Sequence, residues 1–364
     1  MAQKLESIVL RLISLSLTLW VQIRDLYLYF FRHAIIVNGY VDDHSWRGIR
    51  HRNWGDDLNY YFLRELTRRP VVMYHNFKVA QWFHLTNYLC IGTLLDAVNY
   101  SNAQTIVWGS GVSGQERTFV HPENILAVRG PKTKGFCDRY GVKCPEVYGD
   151  PALLLPLVYQ PPFYGCKVPL ERVKCKTPKE CEKDNSFTRA EHNYTHESAV
   201  THSTHKYALG IIPHVVDLHH SVIEEIRKKY ADEILIIDLA HYEKWTDVID
   251  QICSCERILS SSLHGLIVSD AYQVPSCWIE LTGNISGGYF KYLDYAASVN
   301  RFFSTPIRIE KNADIADVVD YSDSYFSCAD SEKIKELQQC LIKVAPFKLK
   351  INLPKESNEN RTRN

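Results

Sequence analysis

From Tyr207 onward, short apolar runs alternate with stretches whose apolar residues recur every three or four positions. The runs are Tyr207 to His214, Glu233 to Leu239, Arg257 to Ser260 and Ser276 to Leu281. Between them, Val222, Ile223, Ile226 and Tyr230, then Trp245, Val248, Ile249 and Ile252, then His264 to Tyr272 have helical spacing. Strands alternating with helices in this way predict a parallel, doubly wound sheet. Ligands of such sheets lie at the carboxyl ends of the strands, where Pro213, His214, Ser260 to Ser262 and Glu280 fall.

The first half follows the scheme less regularly. Ala34 to Val37, Val71 to Tyr74, Thr105 to Trp108 and Ile125 to Val128 read as strands. After the first, Asn53-Trp-Gly-Asp-Asp57 precedes a helix marked by Leu58, Phe62, Leu63 and Leu66. Asp56 or Asp57 is placed to cap that helix, and Gly55 lets backbone come close to a bound group; a plain capped loop is the alternative. Arg129 ends a strand and Pro131 takes a first helical position. Phe136 to Tyr140 reads as helix, and Val147 to Leu155 as a strand or turn into an apolar run.

These patterns divide the chain into an N-terminal helix and first strand (1–40), a first Rossmann-like half (41–158), a linker or insertion (159–206), a second half (207–300), and a C-terminal helix packing back with a polar tail (301–364). Leu12 to Ile23 is an uncharged, largely apolar run between Arg11 and Arg24. It is shorter than the ~20 residues that cross a bilayer, so an amphipathic or core-docked helix through Leu28 is expected, with a signal anchor as the alternative.

Composition narrows the function classes. At 364 residues, 45% hydrophobic and 23% charged, the chain can bury a large core. Lys plus Arg and Asp plus Glu both total 42, so no global field recruits nucleic acid, and any anion site must be local. Eleven cysteines without CxxC spacing read as reduced thiols of a cytoplasmic protein. Sequons at Asn99, Asn193, Asn284 and Asn360 matter only in a secretory compartment. The insertion carries His192, His196, His202 and His205, but its polar surroundings lack the scaffold a metal site needs, and no metal is expected.

Candidate chemistry concentrates at Arg257-Ile-Leu-Ser-Ser-Ser-Leu-His264, a strand that runs through three serines into a helix. Free N–H groups and the helix dipole favour an anion there, and a first-turn histidine can exchange a proton with it near neutral pH. A helix cap with a hydrogen-bonded histidine is the plain alternative. Arg129 offers a planar fork for phosphate or carboxylate, or else pairs with a neighbouring acid. Tyr289, Phe290 and Tyr292 suit either a sugar ring or core packing.

Asn-x-Gly-Asp-Asp, Trp-Gly-Ser-Gly, Val-Arg-Gly-Pro-x-Thr, Tyr-Gly-Asp-Pro-Ala-Leu-Leu-Leu-Pro, Gly-Ile-Ile-Pro-His and Ser-Ser-Ser-Leu-His-Gly occur here in that order, between about Asn53 and Ser298. In this the sequence resembles the polysaccharide pyruvyl transferase family, closest to the branch that modifies exopolysaccharides such as succinoglycan. The resemblance implies two Rossmann-like halves facing across a cleft, as in GT-B nucleotide-sugar glycosyltransferases. It implies phosphoenolpyruvate as donor, a sugar diol of a free or lipid-linked saccharide as acceptor, a pyruvate ketal and phosphate as products, and no cofactor.

By position, His264 matches the family's acid/base histidine and Arg129 an arginine important for activity, so Arg129→Ala is expected mainly to weaken donor binding. Many relatives place Arg two residues before that histidine, where Ser262 stands here. A second cation would come from Lys291, His214 or Arg301, in that order. Ser260, Ser261, Ser262 and Gly265 complete the expected donor site; Asn53, Gly55, Asp56, Ser110, Glu280 and Asp294 are the candidates for the acceptor side of the cleft. A cytoplasmic location is expected, at the inner face of the membrane if the N-terminal helix touches lipid. The rival readings are a GT-B glycosyltransferase, with Glu280 holding ribose, and a carbohydrate-binding assembly protein.

Overall fold

The computed structural model describes residues 2–46, 48–96, 104–115, 122–162, 206–285, 287–302, 305–310, 313, 315, 318 and 322–351. Among these, the strands form two five-stranded sheets in which all pairings are parallel. The first contains β1 (Ile35–Val37), β2 (Val71–Met73), β3 (Asn87–Leu89), β4 (Thr105–Trp108) and β5 (Asn124–Ala127), in the order β2-β1-β3-β4-β5. The second contains β6 (Leu209–Ile212), β7 (Ile234–Ile236), β8 (Ile258–Ser260), β9 (Ser276–Glu280) and β10 (Ile307–Arg308), in the order β10-β9-β8-β6-β7. Counted from its own first strand, the second sheet has the same order as the first. Each reverses direction beside its first strand, at β1/β3 and at β6/β8, where doubly wound sheets open a crevice.

Helices cover the sheets, which is why most strand positions are buried on both faces. The first half carries α1 (Ala2–Arg32), α2 (Trp54–Thr67), α3 (Lys78–Trp82) and α4 (Pro131–Arg139); the second carries α5 (Ser221–Lys229), α6 (Asp247–Cys253), α7 (Leu263–Ala271) and α8 (Phe290–Ser298). A final helix, α9 (Ser331–Lys343), crosses back onto the first half. There Trp108 Nε1 donates to the Leu341 carbonyl (3.1 Å) and Gln338 Nε2 to that of Leu153 (2.7 Å).

The expected α/β organisation in two halves is present. Between the halves runs one continuous hydrophobic cluster, with Trp54, Leu58 and Trp108 on one side and Ile212, Leu239 and Leu266 on the other. The Trp54 N–H donates to the Leu239 carbonyl (2.8 Å), its indole to the Trp245 carbonyl (2.7 Å), and Tyr242 Oη to Asp57 (2.6 Å). The apolar run from Pro151 to Leu157 is a 3-10 helix wedged between α7 and α9. Tyr148 just before it forms a single parallel bridge to Val128.

The helix expected to end near Leu28 continues to Arg32. Among the described residues, no helix is long and apolar enough to cross a membrane. The insertion histidines, Asn99, Asn193 and Asn360 lie outside the described residues.

Candidate active site

The strand β8 delivers its three serines to the crevice beside β6, and their hydroxyls have different duties. Ser260 Oγ donates to the carbonyls of Ser262 (2.9 Å) and Ile212 (3.3 Å). A Cβ at Gly265 would lie 2.3 Å from that Oγ, so Gly265 serves close packing of α7 on the strand. Ser261 Oγ donates to buried Asp217 (3.0 Å) and accepts the His214 N–H (2.8 Å). Ser262, the N-cap of α7 in extended conformation, makes no side-chain cap, so its hydroxyl is not committed in that way.

Two residues after Ser262, His264 meets the first turn of α2 from the other half. A Cβ placed on Gly55 would stand 1.9 Å from His264 Nδ1. Asn53 caps that turn, its Oδ1 accepting from the Gly55 N–H (3.2 Å), so the cap fixes the residue that the imidazole touches. His264 Nε2 is buried and has no hydrogen-bond partner among the described residues. Burial, followed by the positive charges of Lys291 and Arg129 and by nearby His214, pushes the imidazole down to about 3, so it is neutral at ordinary pH.

Lys291 sits in the first turn of α8, 5.4 Å from the Tyr292 ring. Its ammonium makes no hydrogen bond or ion pair with the described residues. Desolvation and the Arg129 charge lower it to about 8, against the opposing pull of Asp56. Asp56, next to Gly55, is raised to about 7 by burial and by Asp57, while Lys291 and a hydrogen bond from Asn53 Nδ2 (2.9 Å) hold it down. His214 is lowered to about 4 by burial and by Lys291; its Nδ1 accepts the Val216 N–H (3.3 Å), which leaves Nε2 as the protonated nitrogen.

Arg129 takes the alternative reading of an arginine paired with an acid. Its guanidinium is completely buried, donating from Nε to Asp294 (3.0 Å), from Nη1 to Thr93 Oγ1 (2.9 Å) and from Nη2 to the Val112 carbonyl (2.9 Å). A Cβ at Gly111 would lie 2.3 Å from Cζ, so the glycine after β4 makes room for it. Asp294 also accepts from the Thr133 N–H (2.9 Å) and hydroxyl (2.7 Å), capping α4 from the opposite half. Asp294, expected to line the acceptor side, is thus spent on joining the halves, and Arg129 reaches the site by its field.

Other expected residues are also engaged. Ser110 Oγ bonds the Gly92 carbonyl (3.0 Å) and the Leu94 N–H (3.1 Å) in the turn beneath Arg129. Glu280 accepts from Tyr289 (2.8 Å) and Arg308 (2.7 Å). Arg301 does not reach the crevice: its guanidinium binds Asp270 (2.8 Å) and the Ser276 carbonyl (2.7 Å) behind α7. Tyr292 stacks on Trp278 (4.5 Å between ring centres) and donates to the Ser261 carbonyl (2.7 Å), so it is packing and not a sugar platform. Thr93 and Asp217 also serve the site but carry no local signal in the sequence, because their partners lie 36 and 44 residues away. Among the described residues no group of acids, histidines and cysteines is arranged to hold a metal ion.

Fold and geometry together define a two-sheet α/β protein whose strand ends converge on buried His264 and half-buried His214, Lys291 and Asp56. The family model described as polysaccharide pyruvyl transferase matches residues 23–282, more than half of the chain, and the chain belongs to that family of transferases. An uncharacterised protein of Acanthamoeba polyphaga mimivirus is 32% identical over 90 residues, a stretch covering 24% of this chain and 31% of that protein. No solved structure matches.

Proposed function

We propose that the chain transfers the enolpyruvyl group of phosphoenolpyruvate to a pair of hydroxyls on a cell-surface glycan or its precursor, forming a cyclic pyruvate ketal and releasing phosphate. The observation that carries this reading is the buried, unpartnered Nε2 of His264 within reach of the Lys291 charge. A donor with a carboxylate and a phosphate needs a local cation in a chain of zero net charge, and Lys291 supplies it. The first turn of α7 and the Ser262 hydroxyl add neutral donors where many relatives carry Arg.

Neutral His264 takes the proton of the first sugar hydroxyl as its oxygen bonds to C2 of the donor. The electron pair of the C=C bond takes up a proton at the methylene carbon, delivered by Asp56, whose elevated pKa keeps it part-protonated near neutrality. The C2–phosphate bond then breaks, the second hydroxyl bonds to C2, and its proton leaves with the phosphate. A proton passing from His264 to Asp56 restores both groups. Donor charge next to His264 raises its pKa once the site is filled, which suits it to hold the proton it accepts.

The test is incubation with phosphoenolpyruvate or nucleotide sugars over a panel of free and lipid-linked saccharides, scored by phosphate or nucleotide release and by gain of a pyruvyl unit. Phosphate release with a pyruvylated product is expected. Nucleotide release alone would assign a GT-B glycosyltransferase, and glycan binding without product an assembly protein. A product on an exopolysaccharide repeat would extend the reading to the succinoglycan-type branch.

A further inference from the structure

The helix α1 keeps a large apolar face in water. Toward the protein it packs Val21, Leu28 and Tyr29 and makes polar contacts: Gln22 Nε2 donates to the Asn76 carbonyl (2.5 Å), Gln22 Oε1 accepts the Lys78 N–H (2.8 Å), and Arg24 pairs with Asp43 (2.9 Å). Buried Asp25 receives Arg24 Nε (2.7 Å) on the same side. The opposite side is apolar and exposed, with Leu12, Leu19, Ile23, Tyr27, Phe30 and Phe31 at helical spacing. No charged residue occurs from Leu12 to Ile23. A helix that only covered the core would present polar residues, and not this apolar face, to water.

Exposed aromatics extend the surface on both flanks. Trp46 packs on Trp20 with ring centres 6.0 Å apart. Across the helix, Trp82 and Phe83, 72% and 70% exposed, end the short helix α3 that holds Gln22. Leu12, Ser16, Leu19 and Ile23 also have the 4-3-4 spacing of a short coiled-coil seam. A second copy of α1 would cover that seam but leave both aromatic flanks in water. A bilayer surface covers all of it, and aromatic residues favour the membrane–water boundary.

We infer that α1 with its aromatic flanks is a monotopic membrane-binding surface, lying in the plane of a bilayer that carries anionic headgroups. The uncharged run spans about 18 Å at 1.5 Å per residue, well short of a ~30 Å hydrocarbon core, and the polar side is fastened to the protein. Exposed Arg11 and Arg32 bracket the apolar face and are placed to meet lipid phosphates. The inference does not depend on the chemistry proposed for His264.

Its test is co-sedimentation of the full chain with phosphatidylcholine vesicles, with and without phosphatidylserine, alongside light scattering in their absence. Wild type should pellet with vesicles, more so with phosphatidylserine. Leu19→Glu/Ile23→Glu should weaken pelleting about tenfold or more, with the melting temperature and activity on a soluble acceptor unchanged. Absence of pelleting by wild type, or equal pelleting by the double variant, overturns the inference. So does a wild-type dimer that the same variant dissociates without any vesicle binding, which would assign the face to a second copy.

Discussion

Gly55 and His264 touch across the two halves with no room for one further carbon, since a Cβ on the glycine would stand 1.9 Å from Nδ1. Gly55→Ala must therefore push the imidazole out of place or separate α2 from α7. Catalysis is expected to fall about 100-fold, as for a misplacement of roughly 1 Å, while secondary structure is retained. Phosphate release and circular dichroism on the same preparation check it; wild-type activity would mean that the ring position does not matter.

His264→Ala is expected to leave the fold intact and to lower kcat by about 10²- to 10⁴-fold, the range for a positioned proton-transfer group. Substantial pyruvylation by that variant would remove the histidine from the mechanism.

The rate should fall as pH rises through the values of Asp56, about 7, and Lys291, about 8. Protonated Asp56 and charged Lys291 are both required, and both are lost on the alkaline side. Asp56→Asn should lower kcat and erase the earlier of the two steps. A kcat/KM profile flat from pH 6 to about 9 would contradict both assignments.

Lys291→Met separates binding from stability. KM for phosphoenolpyruvate should rise about 10- to 100-fold, equivalent to one charge-assisted hydrogen bond. The lysine's folded pKa lies below its unfolded value, so the unfolded chain holds more protons between about 8 and 10.5. Its burial thus costs stability in full below pH 8, and the cost fades as pH rises toward 10.5. Melting at pH 7 should be higher for the methionine variant, with the difference shrinking by pH 10; a lower melting temperature would reveal a partner for the ammonium.

Arg129→Ala should unfold the protein more readily before it weakens donor binding. Removing it strands a buried Asp294 that also caps α4, a loss of about 3–5 kcal/mol. Thermal melts of Arg129→Ala, Asp294→Asn and the double variant form the cycle that checks this, and additive effects would deny the coupling.

Sequence made the second half nearly transparent. Its strands β6, β8 and β9 are buried at every position, and helices follow within a few residues. In contrast β3, Asn87–Leu89, has two polar-capable side chains in three positions, and β10 has only Ile307 and Arg308. Central β3 and edge β10 are so short that they take their conformation from the neighbouring ladders, which local pattern does not register. At the site, His264 was legible because strand, small residues and helix follow one another directly. Arg129's partner lies 165 residues downstream, so its structural duty could be learned only from the fold. Lys291 was the leading candidate for a second cation on position alone; in the fold its charge feels both Asp56 and Arg129, a relationship between distant segments that position does not reveal.

The hydrophobic cluster that passes from Trp54 and Trp108 to Ile212 and Leu266 belongs to both halves at once. Cutting the chain between the sheets would expose large aromatic and aliphatic side chains on each fragment, so neither sheet is an autonomous folding unit. Denaturation should then be a single cooperative event, and a ligand bound at the junction should raise the melting temperature of the whole molecule and not that of one lobe.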